Sequence, residues 1–114
     1  MKRRTLKFIV DGQSLKPDPK CDFSGLVPGS ENFVILEFSF SKEWQELIAK
    51  VLSCKSMLGK EYPPLYFLGD ETKIVLPSNI LKRKSFRLRV LGKDRYGNKI
   101  QTNQVVVTQN GGNK

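Results

Sequence analysis

The sequence predicts a small all-β domain, a sandwich or barrel of about seven short strands. Segments of alternating apolar and polar residues are separated by Gly, Pro, Asn and Asp at intervals of about ten residues, which is typical of such folds. No long segment has the helical period of about 3.6 residues. The length of 114 residues and the composition, 39% hydrophobic and 27% charged, are those of one globular domain. We therefore expect a single domain over residues 1–108 and a frayed tail over residues 109–114.

Two strands are predicted in the first forty residues. The first runs from Thr5 to Val10 and ends at Asp11-Gly12. The prolines of Lys16–Lys20 lack a backbone donor, which places this segment at a sheet edge or in a loop. The strongest alternation covers Asn32–Phe40. Four of its residues share the face that should be core: Val34, Leu36, Phe38 and Phe40.

One short helical turn interrupts the strands. Ser41 can cap a turn over Lys42–Leu47, and we expect Trp44 within it to close one end of the sandwich. A strand over Ile48–Ser53 follows. The polar segment Lys55–Pro64, which contains glycine and prolines, is predicted to be a loop.

The pattern of residues 65–76 predicts a β-hairpin. Leu65–Leu68 and Thr72–Leu76 have strand composition and flank a turn at Gly69–Glu71. Pro77 ends the second of these strands, and Ser78–Leu81 is predicted to be a bend.

The strand over Ser85–Leu91 alternates apolar residues with arginines. Its apolar side chains should face the core, which places Arg87 and Arg89 on the outer face. A last strand covers Lys99–Thr108. Two registers remain open for it, with Val105 and Val107 inward in one and Ile100 and Val106 inward in the other.

The strongest functional signal is a concentration of positive charge. The formal net charge of +9 would attract phosphates, acidic lipids, polyanionic glycans or an acidic protein surface. Eight cations between positions 82 and 99, opposed by Asp94 alone, form what we call the basic ridge: Lys82, Arg83, Lys84, Arg87, Arg89, Lys93, Arg95 and Lys99. We predict that the ridge binds phosphates or an acidic protein patch. The alternative is a solvated sheet face that resists aggregation.

No residue pattern predicts catalysis, a metal site or a cofactor. The chain has no histidine, the usual base of a Ser/His or Cys/His system. Its eleven acidic residues are scattered without calcium-loop spacing, and Asp70-Glu71 falls in a predicted turn. Gly92–Gly97 is not followed by the lysine-serine pair and the helix of a phosphate-binding loop. Cys21 and Cys54 are expected to be free thiols, because the core is sufficient without a disulfide, and one disulfide between them is the alternative.

Two further segments could contact a partner. Met57, Leu58 and Tyr62 are apolar residues that no strand pattern requires, and they would suit a protein contact unless they fold back over the sandwich. Pro63–Tyr66 matches the PPxY ligand of WW domains, with a proline-stiffened start of the next strand as the favoured alternative. Tyr96 is the one aromatic expected to lie exposed among the cations, so nucleic-acid binding is the less favoured function.

The N-terminal sequence bears on location. Its apolar run, Thr5–Val10, is six residues long, which is too short for a signal peptide or a membrane span. We therefore expect synthesis in the cytoplasm and no membrane partner.

Three groups of residues together resemble a known family. The first is Phe38–Ser41 with Trp44, and the second is Ile74–Pro77 with Ile80-Leu81. The third group is Phe86, Val90, Gly92, Gly97, Ile100, Thr102 and Asn103. In order and spacing they are similar to the immunoglobulin-like module of tail, baseplate and fibre proteins of bacteriophages and prophages of Gram-positive bacteria. The resemblance extends from about Val27 to Val107.

The resemblance implies an immunoglobulin-like β-sandwich that joins a tail or baseplate assembly, without catalysis and without a cofactor. Such a protein is made in the bacterial cytoplasm, becomes associated with the virion, binds a protein partner and can form a homo-oligomer. The long predicted loop and the basic surface depart from the family pattern. Two alternatives therefore stay open: a small phage inhibitor or adaptor that binds a host protein complex, and a basic nucleic-acid-binding domain.

Overall fold

The computed structural model describes residues 3–109, which form nine strands and two short helices. They build a four-stranded and a five-stranded sheet that pack as a sandwich. The predicted all-β class is confirmed, with nine strands where about seven were expected. In chain order the elements are β1 (Arg4–Asp11), β2 (Ser14–Pro17), β3 (Val34–Phe40), α1 (Lys42–Gln45), β4 (Ala49–Ser56), β5 (Leu65–Phe67), β6 (Lys73–Val75), α2 (Ser78–Leu81), β7 (Ser85–Lys93), β8 (Lys99–Gln101) and β9 (Val105–Thr108).

The four-stranded sheet has the order β2-β1-β3-β6. β1 turns into the antiparallel β2 at Gly12, whose φ of +57° belongs to the left-handed region that glycine tolerates. β1 also pairs in parallel with β3, Arg4–Val10 against Val34–Phe40. β2 ends at Pro17 on the edge of the sheet, which confirms the edge position expected for residues that lack a donor.

The five-stranded sheet is built around β7. β4 pairs with β7 over Ala49–Ser56, and β5 pairs with the far side of β4. β8 and β9 share the other side of β7. In the gap between β8 and β9 the Thr102 hydroxyl oxygen accepts the backbone N–H of Val90 at 3.0 Å. This β7 N–H therefore has a partner where no strand lies beside it.

The predicted last strand is therefore two strands with separate registers. Val105 and Val107 pack against the core from β9, and Ile100 packs against it from β8. Val106 is 50% exposed on the outer face. The register with Val105 and Val107 inward is the correct one for β9, and the break at Thr102 allows Ile100 to face the core as well.

The core lies between the two sheets, and Trp44 closes one end of it. Trp44 is fully buried, and its indole Nε1 donates to the Gly12 carbonyl oxygen at 2.7 Å. This confirms the role predicted for the helical turn. The side chains that fill the core come from both sheets and from α2: Leu6, Phe8, Leu36, Phe38, Leu52, Leu76, Ile80, Leu81, Phe86 and Leu88.

The predicted hairpin of Leu65–Leu68 and Thr72–Leu76 is wrong. β5 pairs with β4 in one sheet, whereas β6 pairs with β3 in the other, so the connection between them crosses the sandwich. Phe67 supplies the physical reason, because its ring packs edge-on against Phe38 of the opposite sheet at a centroid distance of 5.3 Å. Burial of Phe67 outweighs a local pairing of the two strands.

Two further expectations need correction. Ser78–Leu81, predicted to be a bend, is the helix α2, and both helices of the described residues span four residues. Gln109, assigned to the frayed tail, is 1% exposed. Its Nε2 donates to the carbonyl oxygens of Leu81 at 3.0 Å and Arg83 at 2.9 Å. The rest of the predicted tail, residues 110–114, lies outside the described residues. Within residues 3–109 no helix is long and apolar enough to cross a membrane.

Candidate binding surface

The outer face of the five-stranded sheet combines cations with exposed apolar side chains. In β7 the inward Phe86, Leu88 and Val90 are buried, so the residues between them point away from the core, as predicted. Directly paired residues share a face of the sheet. By register the outer face consists of Ala49, Val51, Ser53, Lys55, Tyr66, Arg87, Arg89, Leu91, Lys93, Lys99, Gln101 and Val106.

An apolar row crosses this face. Tyr66 is paired with Val51, and Val51 is paired with Leu91. The row spans two strand spacings, about 10 Å. Tyr66 is 65% exposed, and the three side chains line a hollow of about 580 Å³. Such a hollow offers an aromatic and aliphatic surface to a partner.

Cations stand on both sides of the apolar row. On one side Lys93 pairs with Lys99 across the sheet, and both line the hollow. On the other side lie Arg89 and Arg87, which precede Leu91 in β7 by two and four residues. The outer face therefore presents an apolar centre between two positively charged groups.

The guanidinium groups of Arg87 and Arg89 donate hydrogen bonds to uncharged oxygen atoms. Arg87 Nη2 donates to the Met57 carbonyl oxygen at 3.1 Å, and Arg89 Nη1 donates to Gln101 Oε1 at 3.3 Å. Arg89 Nε is buried and has no acceptor among the described residues. The one ion pair within residues 3–109 joins Lys55 Nζ to Glu61 Oε1 at 3.4 Å. The positive charge of the arginines is thus uncompensated, which costs free energy for a partly buried guanidinium.

The basic ridge does not form one surface. Arg87, Arg89, Lys93 and Lys99 lie on the outer face. Lys82, Arg83 and Lys84 lie in the connection between α2 and β7, at one end of the sheet. Arg95 lies in the turn between β7 and β8, where its guanidinium is 5.4 Å from the Tyr96 ring centroid.

Asp94, the acid inside the ridge, organises that turn. Its Oδ1 accepts the backbone N–H groups of Tyr96 at 2.9 Å and Asn98 at 2.8 Å, and its Oδ2 accepts the Asn98 amide at 2.9 Å. These hydrogen bonds, the one from the Asn98 side chain above all, lower the pKa of Asp94. The Asp94 carboxylate is used within the turn and forms no ion pair with Arg87, Arg89, Lys93 or Lys99.

The loop residues predicted to contact a partner separate into two groups. Met57 is 42% exposed and Leu58 is 99% exposed, so both are accessible. Tyr62 folds back over the sandwich and is 8% exposed, which removes it from the candidate contacts. Its backbone N–H donates to the Cys54 carbonyl oxygen at 3.0 Å and holds it there.

Tyr66 is the aromatic contact that sequence reasoning missed. It belongs to the PPxY match, but Leu65 and Tyr66 lie in β5, in agreement with a proline-stiffened start of a strand. Tyr96, the one aromatic predicted to lie among the cations, is 79% exposed. The alternation around Tyr66 could have found it, because an inward Phe67 requires an outward Tyr66.

The remaining reactive groups have structural surroundings. Cys21 and Cys54 are unpaired. Burial raises the pKa of the Cys54 thiol to about 12, so the thiolate nucleophile is disfavoured. Among the described residues no three of His, Cys, Asp and Glu lie close enough together to hold a metal ion. The absence of catalysis, of a metal and of a cofactor remains a prediction from the sequence.

Comparisons of the chain with family models, with curated proteins and with solved structures find no match. The resemblance to immunoglobulin-like phage modules therefore depends on the residues named in the sequence. Two of them, Trp44 and Gly92, are in close contact at the end of the core. Because the Trp44 ring lies against Gly92, packing alone explains a tryptophan and a glycine at these two positions.

Proposed function

We propose that this chain is a non-catalytic protein-binding module of a phage or prophage, and that its outer face docks against an acidic surface of another protein in a tail or baseplate assembly. The observation that carries this proposal is the arrangement of the outer face. An apolar row, in which Tyr66 is exposed and Val51 and Leu91 are partly exposed, lies between two groups of cations that have no carboxylate partner among residues 3–109.

The residue types suit a protein interface. Tyrosine and arginine are enriched among the residues that dominate binding energy, whereas a solvated sheet face carries few exposed aromatics. Tyr66, Val51 and Leu91 would form the apolar centre of the interface. Lys93, Lys99 and the two arginines would form its charged margin.

Charge complementarity selects an acidic partner. Arg87 and Arg89 are partly buried yet bonded to neutral oxygens, so carboxylates of a partner would replace weak acceptors with charge-assisted hydrogen bonds. The same charges would accelerate association with a negative surface. The assignment to a tail or baseplate assembly is supported by the family resemblance.

Single-stranded nucleic acid is a second candidate ligand, favoured by one observation. Tyr66 supplies an exposed aromatic ring on the same face as the arginines, the combination with which β surfaces bind bases and phosphates. The sequence predicts Tyr96 as the one exposed aromatic among the cations, and Tyr66 adds a second.

Affinity capture with the tagged chain tests the proposal. The bait is incubated with lysate of infected or prophage-induced cells, with and without nuclease, at two salt concentrations, and bound proteins are identified by mass spectrometry. We expect tail or baseplate proteins that survive nuclease and moderate salt. Recovery of one host complex instead would replace the virion role with an inhibitor or adaptor role. Loss of all binding on nuclease treatment would favour nucleic acid.

A further inference from the structure

A second cleft lies at the end of the five-stranded sheet, away from the apolar row. Its volume is about 530 Å³, and it separates the turn that follows β4 from the segment that precedes β7. The lining residues are Ser56, Met57, Leu58, Lys60, Arg83, Lys84 and Ser85. The cleft thus brings cations from two distant parts of the sequence close to the apolar side chains of Met57 and Leu58.

Hydrogen bonds hold the first wall in place. Ser56 N donates to the Lys60 carbonyl oxygen at 2.8 Å, and Lys60 N donates to Ser56 Oγ at 3.0 Å. Arg87 Nη2 fixes the Met57 carbonyl oxygen from the sheet. This turn presents Leu58 to solvent, where 99% of its side chain is exposed.

Gln109 holds the second wall in place. Its side-chain amide donates to the Arg83 carbonyl oxygen at 2.9 Å, and its backbone N–H donates to the Lys84 carbonyl oxygen at 2.6 Å. Ser85 Oγ donates to Thr108 Oγ1 at 3.2 Å. Both walls are therefore formed before any ligand binds, which reduces the entropy lost on binding.

The charge of the cleft favours an anion. Lys60, Arg83 and Lys84 line it, and none of the lining residues is acidic. Glu61, the acid next to Lys60, is bonded to Lys55 at 3.4 Å. An anionic head would meet three cations at the rim of an apolar surface.

The hydrogen bonds of the walls disfavour a peptide in this cleft. The main-chain groups of Ser56, Lys60 and Arg83 are already paired within the chain. These groups are not free to bond the backbone of a bound peptide, so a peptide would replace few of the hydrogen bonds that it loses to water. An alkyl chain has no such groups and forfeits nothing.

We propose that this cleft binds a single-chain amphiphile with an anionic head, a fatty carboxylate or an alkyl phosphate. The head lies between Lys60, Arg83 and Lys84, and the chain lies along Met57 and Leu58. The bound alkyl chain would remove from water the side chain of Leu58, which is 99% exposed in the free protein.

Decyl phosphate, titrated as a monomer into isotope-labelled protein and followed by amide NMR shifts, is the direct probe. We expect saturable shifts confined to residues 56–60 and 83–85. Inorganic phosphate tests the head alone and neutral decyl maltoside tests the chain alone, and each should bind at least about tenfold more weakly because it makes half of the contacts. Equal binding of either control, or shifts centred on Tyr66, would overturn the proposal.

Matched variants test the cations. Arg83→Glu with Lys84→Glu should weaken decyl phosphate binding at least about tenfold, whereas Lys93→Glu with Lys99→Glu, the same change of charge on the outer face, should leave it within about twofold. Arg83→Gln with Lys84→Gln repeats the test without new acids near the segment held by Gln109. Equal loss in both glutamate pairs would indicate attraction by net charge alone. Stronger binding of an acidic peptide of equal charge would identify a peptide site instead.

Leu58→Ser tests the apolar half of the cleft. Leu58 makes no buried contact in the free protein, so folding should be unchanged. Decyl phosphate affinity should fall at least about fivefold, while the weak binding of inorganic phosphate should stay the same. An unchanged affinity for decyl phosphate would rule out the proposed path of the chain.

Discussion

Gly92 faces the ring of Trp44 so closely that a Cβ atom at Gly92 would lie 2.7 Å from Trp44 Cζ3 and would overlap Leu47 Cδ1. Gly92 is the next-to-last residue of the long strand β7, and glycine is otherwise unfavourable within a strand. The absence of a side chain is what admits the indole ring to the end of the sandwich. Trp44 is in turn anchored through its Nε1 to the Gly12 carbonyl oxygen.

Gly92→Ala should destabilise the fold. The new methyl group overlaps the ring of Trp44 and the side chain of Leu47, and overpacking of this kind costs about 1–3 kcal/mol. Urea unfolding followed by circular dichroism measures the loss. Ser53→Ala, on the outer face of the same sheet, is the control and should change stability by less than about 0.5 kcal/mol. A fully stable Gly92→Ala variant would show that Trp44 can move away at no cost.

Gln109→Ala should also destabilise the fold, although the residue stands at the end of the described chain. The substitution removes the donor of the Arg83 carbonyl oxygen and one of the two donors of the Leu81 carbonyl oxygen, which also accepts the Gly29 N–H at 2.8 Å. Loss of two such hydrogen bonds should cost about 1–3 kcal/mol. Gln104→Ala, at an exposed position before β9, is the matched control. Equal melting temperatures of the two variants would mean that the Gln109 amide contributes nothing to stability.

Arg87→Glu with Arg89→Glu should spare folding and weaken partner binding at least about tenfold, because the pair reverses the charge beside the apolar row. Lys16→Glu with Lys20→Glu makes the same change of charge at exposed positions around the edge strand β2. Affinity for the captured partner, measured by calorimetry, compares the pairs. Similar affinities in both variants would place the interface elsewhere on the molecule.

The two cysteines should differ in reactivity. Cys54 is fully buried, and burial raises its pKa to about 12, whereas Cys21 is partly exposed. In the folded protein at pH 8 an alkylating reagent should modify Cys21 and spare Cys54 until urea unfolds the chain. Mass spectrometry of digested protein gives the extent at each site. Rapid alkylation of both would show that the core opens around Cys54.

The same pKa predicts a dependence of stability on pH. Above the ordinary thiol pKa of 9.0 the unfolded chain loses the Cys54 proton, while the folded chain, in which this pKa is about 12, keeps it up to about pH 12. Unfolding then releases a proton, so the free energy of unfolding should fall as pH rises through this window, by up to about 1.4 kcal/mol per pH unit. Cys54→Ala should lower overall stability and flatten this slope. An identical slope in the variant would assign the pH dependence to other groups.

The alternation of residues along each strand was sufficient to predict which side chains face the core. A side chain in a strand points to the side opposite its neighbours, so the inward positions of Phe86 and Leu88 place Arg87 and Arg89 outward. The position of Trp44 in a short helical turn followed equally from local sequence. These are properties of one strand or turn and need no knowledge of its neighbours.

The candidate surface depended on pairings that no local pattern contains. Tyr66 reaches the outer face beside Val51 because β5 pairs with β4, and the predicted hairpin would have placed it against β6 instead. The basic ridge is continuous in sequence, yet the change from the α2–β7 connection to β7 separates Arg83 and Lys84 from Arg87 and Arg89. Sequence distance therefore gave a poor guide to spatial clustering.

By itself the sequence determined the class of fold, most strands and the inward face of the longest ones, because backbone geometry imposes a two-residue period on every strand. The tertiary structure alone decided the partners of β5 and β6, the burial of Tyr62 and Gln109, and the cleft between Lys60 and Arg83. Those features depend on contacts between residues far apart in the chain. Packing between the two sheets, such as the contact of Phe67 with Phe38, decides which of several locally similar strand pairings forms.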